Sequence, residues 1–341
     1  MFDIEPKVRP VQTRYMRTTW SLKAEAILEL PDASKVRLFK QSEADELFRM
    51  VSKRNVFSRH SWGNIHYLDQ VRELQNRTVI EVLRTGYPIE NYEQAGKIAD
   101  LIEKLVILST TLVLPKADLL RNLGISSKIK PDIDFAYDNQ FQHIKSRSQP
   151  APAFKGLSLD EQTCSRFRNC GFFDLFQFCQ RERDLEKRVN TSVDWLFESR
   201  REIRLPASVV KTAIALESLL IFSESEALAR SLSERAAFIL SSCPITRQVI
   251  AHTINQFYEV RSGVVHGSAK KVKKLTPNLV ESVDRLVLLM YLTIAGNSNL
   301  WPNVEALRIW CEKQRWGSPS PVKVPFKLLY LKNALSLVSA E

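Results

Sequence analysis

Two ionisable residues interrupt apolar stripes on neighbouring predicted helices in the C-terminal half of the chain. In one helix Ile250, Ile254 and Phe257 follow a spacing of three to four residues, and Arg261 continues it. An earlier predicted helix carries Glu217 within a similar stripe, formed by Val210, Ile214 and Ile221. A charge on a buried face must be paired or must line a cleft. Two interpretations follow: a structural Glu217–Arg261 ion pair, or charges that line an internal cleft or a subunit seam.

His266 adds acid–base chemistry to this pattern. It lies five residues after Arg261 and directly before Gly267, where the helix is predicted to end. On a continuous helix such positions point about 140° apart, so we expect the terminus to unwind and let His266 turn toward Arg261. A helix C-terminus favours the imidazolium form, and histidine is the commonest general acid–base.

Basic residues surround the predicted site. Four lysines follow His266 at once and are candidates for holding a polyanion beside it: Lys270, Lys271, Lys273 and Lys274. A solvated loop is the alternative interpretation of that cluster. The formal charge of +11 and the pI near 9.4 favour an anionic partner, of which nucleic acid is the commonest.

The spacing Arg-x(4–6)-His is not specific by itself. It recurs at Arg247–His252, Arg54–His60 and Arg59–His66. The first of these lies wholly inside a predicted helix, where the two side chains diverge. The other two lie in a region with no well-defined predicted helices. Context therefore favours Arg261 and His266.

That context resembles a known family. Three segments occur in order: a Leu-Glu-x-Leu-Leu helix within Ile214–Leu220, a second helix at Ser231–Leu240, and Arg-Ser-x-Val-Val-His-Gly within Phe257–Gly267. Together they resemble the Apea-like branch of the HEPN superfamily, over roughly residues 185–300. The resemblance implies a helical bundle that forms a homodimer, in which two Arg-x(4–6)-His motifs meet at one cleft. It also implies RNA cleavage without a metal or cofactor, often in antiviral defence or toxin systems.

The implied reaction is attack by a ribose 2′-OH on the adjacent phosphate. His266 would act as general base or acid, and Arg261 would stabilise the charge on the phosphorane. Ser262 would bond a phosphate oxygen, and Glu217 would hold Arg261 in place. The alternative is a catalytically silent HEPN module that binds RNA or serves as a dimer scaffold. No Gly-rich phosphate loop follows a predicted strand, so nothing favours a transferase or an oxidoreductase.

The predicted fold is mainly α. Five helices with short connections indicate an up-and-down bundle over residues 185–315: Leu185–Arg201, Pro206–Phe222, Ser225–Leu240, Pro244–Val265 and Pro277–Ala295. Residues 1–150 are predicted to form an α-rich module with a long helix at Asn91–Leu114 and a small β-hairpin. In that hairpin, Trp20–Leu28 alternates with a period near two and pairs with Val36–Phe39.

The remaining segments complete the predicted domain organisation. Residues 124–156, rich in proline and serine, indicate the inter-domain connection, with residues 151–184 as a connecting segment and 316–341 as a tail. We expect the N-terminal module to sense a regulatory ligand or partner, or to position RNA, because an unrestrained ribonuclease would harm its host.

Cysteine usage and hydropathy indicate whether the protein has disulfides, a zinc site or a membrane span. The five cysteines are an odd number spread over a long chain, which is not typical of a disulfide framework. Cys164, Cys170 and Cys179 lie near His143 in sequence, but their spacings are not those of a zinc knuckle, so buried thiols are expected. The longest apolar stretches are far shorter than the roughly 20 residues of a membrane span. A soluble, cytoplasmic protein is expected.

Overall fold

The chain forms two compact units, and the computed structural model is mainly helical, as predicted, with one antiparallel sheet. One unit comprises Met1–Ile107 and Leu123–Ser165, and the other comprises Leu108–Asn122 and Arg166–Glu341. The structure describes residues 10–19, 22–54, 71–72, 74–113, 129–140, 143–152, 157–223, 227–316, 322, 324–326 and 328–339.

The first unit holds the described strands. Six of them form a sheet in the order β3-β4-β5-β1-β6-β7, in which every neighbouring pair is antiparallel, while β2 and β8 pair in parallel. The strands are β1 (Val11–Thr18), β2 (Leu22–Ala24), β3 (Leu28–Glu29), β4 (Lys35–Phe39), β5 (Arg77–Gly86), β6 (Ile129–Asp138), β7 (His143–Pro152) and β8 (Leu157–Leu159). The accompanying helices are α1 (Gln41–Arg54) and α2 (Pro88–Val113), whose residues from Leu108 onward belong to the other unit.

Among the described residues, each face of the sheet contacts a long helix. On one face Met16 and Phe135 share a buried core with Leu47 and Val51 of α1. On the other face Tyr15 packs edge-on against Tyr92 of α2, with ring centroids 5.4 Å apart. The sheet is therefore covered on both sides within this unit.

Three predictions for the N-terminal half are wrong. The α-rich module with a hairpin is instead built on a six-stranded sheet. The predicted strand Trp20–Leu28 is broken into β2 and β3, and only β3 pairs with β4; Trp20 itself lies outside the described residues. Residues 124–156 were predicted to connect two domains, yet their described part forms the β6–β7 pair, since main-chain hydrogen bonding between two extended segments tolerates polar side chains. The long helix was predicted correctly to within a few residues at its start.

The second unit is helical throughout its described part. Its elements begin with α3 (Glu161–Arg168), which crosses the boundary between the units. They continue with α4 (Phe172–Cys179), α5 (Asp184–Arg201), α6 (Leu205–Leu220), α7 (Leu228–Leu240), α8 (Pro244–His266), α9 (Ala269–Val272), α10 (Pro277–Gly296), α11 (Val304–Trp316) and α12 (Leu328–Ser339).

Helix α10 forms the centre of this unit. It is buried on all sides along most of its length and contacts α4, α6, α7, α8 and α12. A buried ionic network joins it to α5: Arg200 bonds both carboxylate oxygens of Glu281 and lies 3.1 Å from Asp284. Thr212 of α6 donates to the same Asp284 at 2.7 Å. The charges are therefore compensated inside the core.

The five predicted helices of this half are confirmed, with ends within a few residues of those predicted. The predicted segments around them differ from the structure. Residues 151–184 contain β8, α3 and α4 as well as part of β7, and the predicted tail contains α12. Ser282 of α10 donates to the Ala334 carbonyl of α12 at 2.6 Å, so that helix packs on the core.

No helix in the described ranges combines the length and the apolarity that crossing a bilayer would require.

Candidate functional site

Helix α8 places Arg261 at the edge of the buried face. Ile250, Ile254 and Phe257 are fully buried, which confirms the predicted stripe. Arg261 continues that stripe with its side chain 25% exposed. The guanidinium therefore lies where the core meets solvent.

Glu217 of α6 faces Arg261, although the stripe predicted around it is wrong. Val210, Ile214 and Ile221 are only half-buried, whereas the buried face of α6 comprises Ser208, Val209, Thr212, Ala213, Ala215, Leu216, Leu219 and Leu220. Glu217 lies at the margin of that face, 24% exposed, and its Oε1 is 3.3 Å from an Nη atom of Arg261. The expected ion pair is present.

Tyr258 fixes the carboxylate of this pair, and the sequence reasoning missed it. Its hydroxyl lies 3.2 Å from Glu217 Oε1 and 3.4 Å from the Ala213 carbonyl oxygen. Burial, reinforced by the charge of Glu217 and its hydrogen bond, raises the pKa of Tyr258 far above its ordinary value. The phenol thus stays a neutral donor. Its position one turn before Arg261 on the same helix was the available signal.

Arg261 retains hydrogen-bonding capacity beyond this ion pair. Its Nε is buried and has no hydrogen-bond partner among the described residues. A guanidinium has five N–H donors in a rigid fork, and a buried unsatisfied donor is costly. An anion next to this nitrogen would satisfy it.

Helix α9 turns back toward α8 and brings Lys271 to Ser262. Lys271 Nζ donates to Ser262 Oγ at 3.4 Å. The approach depends on Gly263, because a Cβ atom there would lie 2.5 Å from Lys271 Cβ and 3.2 Å from the backbone nitrogen of Val272. The absence of a side chain at residue 263 therefore determines where Lys271 lies.

The other three lysines of the predicted cluster do not join this group. Lys274 pairs with Glu259 at 2.9 Å on the exposed surface. Lys270 and Lys273 are exposed, and neither lines the cavity described below. The structure thus distinguishes Lys271 from its neighbours.

His266 is held away from Arg261 within one chain. The predicted unwinding is wrong: α8 is regular through His266 and closes at Gly267, whose φ of 71° is left-handed. The backbone N–H groups of Gly267 and Ser268 both donate to the Gly263 carbonyl, which satisfies the helix end without unwinding it. His266 is exposed and, four residues after Ser262, lies on the same face of the helix as that serine.

A cavity of about 430 Å³ opens beside Arg261. Leu228 and Ala229, at the start of α7, form one wall. Arg261, Ser262 and Lys271 line it from α8 and α9, and Asn255, Tyr258 and Glu259 lie along it on α8. His266 is not among these lining residues. The cavity is therefore lined by three predicted site residues, Arg261, Ser262 and Lys271, and by the newly found Tyr258, but not by His266.

The competing motifs show no comparable setting. Arg247 and His252 both lie in α8, and Arg247 donates to the Ser241 carbonyl at 2.6 Å and contacts the Phe238 ring, which is a structural role. His252 is exposed. The pairs Arg54–His60 and Arg59–His66 reach outside the described residues.

The cysteines near His143 are buried thiols. Cys164, Cys170 and Cys179 are each buried, and none forms a disulfide with another described cysteine. Among the described residues, no group of three or more His, Cys, Asp or Glu side chains is arranged to hold a metal ion.

Comparisons of the chain with protein-family models, with curated proteins and with solved structures find no match.

Proposed function

We propose that this protein is a metal-independent endoribonuclease of the HEPN type, acting in antiviral defence or as a toxin effector. The observation that carries the proposal is the arrangement of Arg261. Its guanidinium is oriented by Glu217, has an unpartnered Nε, and borders a cavity that also contains Ser262 and Lys271. Oriented donors beside an open cavity suit a transferring phosphate.

The reaction consists of one displacement at phosphorus. The ribose 2′ oxygen forms a bond to the adjacent phosphorus while the bond to the 5′ oxygen of the next nucleotide breaks. One base takes the 2′-OH proton and one acid gives a proton to the leaving 5′ oxygen. The products carry a 2′,3′-cyclic phosphate and a 5′-OH, and no metal is required because the substrate supplies its own nucleophile.

A homodimer would complete the site. Within one chain His266 lies on an exposed face of α8, beyond the cavity that Arg261 lines. Two chains that meet through the ends of α8 would supply two histidines, one for each proton transfer, beside two arginines. The exposed position of His266 suits this arrangement.

The test is cleavage of single-stranded RNA by the purified full chain in excess EDTA. We expect His266→Ala to reduce turnover by two to four orders of magnitude, as the loss of a general acid–base does. His252→Ala is the matched control, because His252 is also an exposed histidine of α8. Equal activity of the two variants would remove His266 from the mechanism.

A second candidate is an HEPN module that binds RNA or scaffolds a dimer without turnover. The same separation of His266 from the cavity favours it, since one chain alone does not assemble the catalytic pair. RNA binding by the wild-type dimer with no cyclic phosphate product would support this alternative.

A further inference from the structure

The cavity beside Arg261 has a cationic part and an apolar part. Arg261 and Lys271 border one side, while Leu228 and Ala229 form the wall at the start of α7. We propose that this cavity binds one nucleoside phosphate, with the phosphate at Arg261 and Lys271 and the base against Leu228. The inference rests on the proposed function in taking that nucleotide to be part of an RNA strand.

The phosphate is assigned to the cationic side by the two basic side chains that line it, Arg261 and Lys271. Lys271 Nζ lies 3.4 Å from Ser262 Oγ, a long hydrogen bond that a phosphate oxygen can replace. Both groups can bond a phosphate oxygen without breaking the Arg261–Glu217 pair. Glu259 also lines the cavity, but its charge is offset by Lys274 at 2.9 Å.

The start of α7 adds to the positive potential. The N-cap residue is Ala227, which offers no side-chain acceptor to the first backbone N–H groups of the helix. These groups carry the positive end of the helix dipole. They supplement the two side chains rather than form a site by themselves.

The remaining space exceeds what a phosphate needs. A volume of about 430 Å³ lies within the roughly 300–1,000 Å³ typical of small-molecule sites. Leu228 is 39% exposed, so its side chain is available to a ligand in the cavity. Asn255 adds an amide, which can both donate to and accept from the edge of a base. An apolar wall with one amide suits a nucleobase.

The test measures binding of adenosine 3′-monophosphate, inorganic phosphate and adenosine to the full-length protein by calorimetry. We expect the nucleotide to bind at least tenfold more tightly than either fragment. Lys271→Ala should weaken nucleotide and phosphate alike by about tenfold. Lys187→Ala, which removes an exposed lysine of α5, should leave all three affinities unchanged.

A second variant isolates the base. Leu228→Gln should weaken the nucleotide several-fold and leave inorganic phosphate unaffected. Ile245→Gln is its control, because Ile245 is 72% exposed at the start of α8 and does not line the cavity. If inorganic phosphate binds as tightly as the nucleotide, or if Leu228→Gln behaves like its control, the nucleoside part of the proposal is wrong.

These outcomes are separable from those of the ribonuclease assay. Nucleotide binding that depends on Lys271 and Leu228, without RNA cleavage, would uphold this site and contradict the proposed activity. RNA cleavage without nucleotide binding at millimolar concentration would uphold the proposed activity and contradict this binding site. His266→Ala should retain nucleotide binding, since His266 does not line the cavity.

Discussion

Arg261 depends on two other side chains for its orientation. Glu217 contacts its guanidinium, and Tyr258 contacts Glu217 through a hydroxyl that burial keeps protonated. Because Glu217 is about one-quarter exposed, the tyrosine supplies the rigidity that an exposed ion pair lacks. The three residues form one connected unit, of which Arg261 and Tyr258 line the cavity.

Tyr258→Phe tests that unit. The ring remains in the core, so the free energy of unfolding should change by only about 1 kcal/mol, the usual net contribution of one hydrogen bond. Turnover should fall about tenfold, equivalent to ~1.4 kcal/mol of barrier, with little change in KM. Steady-state kinetics and urea unfolding give the two readouts. Tyr87→Phe, at an exposed tyrosine, is the control; unchanged turnover in Tyr258→Phe would exclude a positioning role.

The sequence was informative about some of these residues and silent about others. Arg261 was recognisable because it continues an apolar stripe, and Glu217 because it places the opposite charge on another apolar helix. Lys271 could not be told from Lys270, Lys273 or Lys274, because only the turn at α9 decides which lysine reaches Ser262. The orientation of His266 depends on whether a glycine cap closes the helix or the helix unwinds, and the residue types permit both.

At the scale of elements, the contact between α8 and α9 depends on one glycine. Gly263 is buried against Lys271, while Gly267 has open space around it but a left-handed backbone. Alanine at these two positions therefore has different consequences. Alanine at residue 263 would clash with Lys271, whereas alanine at residue 267 would have to adopt an unfavourable left-handed backbone conformation.

Gly263→Ala should force α9 away from α8 and displace Lys271. We expect a loss of about 1–3 kcal/mol in the free energy of unfolding, typical of overpacking, together with weaker phosphate binding. Gly267→Ala should cost about 1 kcal/mol through backbone strain and leave Lys271 in place. Thermal unfolding and phosphate titration of both variants distinguish them; identical phosphate affinities would contradict the role assigned to Gly263.

The α5–α10 network predicts an acid limit to the stability of the helical unit. Burial alone would raise the pKa of Glu281, but the charges and hydrogen bonds of Arg200 and Arg285 outweigh it and hold the pKa at about 2. Because the pKa of Glu281 is lower in the folded chain than in the unfolded chain, its ionised carboxylate stabilises the fold at pH values above about 4.5. That contribution, ~3 kcal/mol at most, is lost as the pH falls from 4.5 toward 2.

Glu281→Gln should remove much of this pH dependence and destabilise the unit by about 3–5 kcal/mol, because Arg200 is left buried with fewer partners. The measurement is urea unfolding, followed by the helical circular dichroism signal between pH 7 and pH 3. Glu305→Gln, at an exposed carboxylate of α11 that pairs with Arg308, is the control and should have little effect. A wild-type stability that stays flat below pH 4.5 would rule out this account.

The helices were predicted better than the strands, for physical reasons, although the predicted strand Val36–Phe39 is confirmed as β4. Pro244 and Pro277 mark helix starts and Gly267 marks an end, and apolar residues recur at helical spacing between them. In β5, by contrast, Val79, Ile80 and Val82 are all buried and do not alternate with exposed residues, and a short, mostly apolar run cannot be told from a buried helix.

The composition of residues 129–152 did not indicate that they form the strands β6 and β7. β7 is an edge strand of the sheet, and an edge strand tolerates prolines such as Pro150 and Pro152. Its pairing with β6 is decided by partners in the fold, not by its own residue pattern. The same prolines and serines therefore predicted a connecting segment.

The whole molecule carries a net charge of +11, which suits a polyanionic substrate and makes binding sensitive to salt. Charge alone does not assemble the proposed site, because His266 and the cavity of Arg261 are separate within one chain. The proposed activity thus requires association of two chains.

Specific activity should therefore fall on dilution. Turnover per chain is expected to follow the dimer fraction measured by sedimentation under the same conditions, because monomers lack a complete site. His252→Ala should show the same curve as the wild type. Turnover that stays constant through the dissociation of the dimer would place the whole reaction within one chain.

In the proposed reaction the ribose 2′-OH attacks the phosphate with the help of Arg261 and His266. The most direct measurement compares an RNA oligonucleotide with the same oligonucleotide carrying a single 2′-deoxy sugar at the cleaved position, both in EDTA, with product ends identified by mass spectrometry. We predict a 2′,3′-cyclic phosphate from the all-ribose strand, no cleavage at the deoxy position, and neither product with His266→Ala. Cleavage at the deoxy position, or cyclic phosphate formed equally by His266→Ala, would contradict the claim.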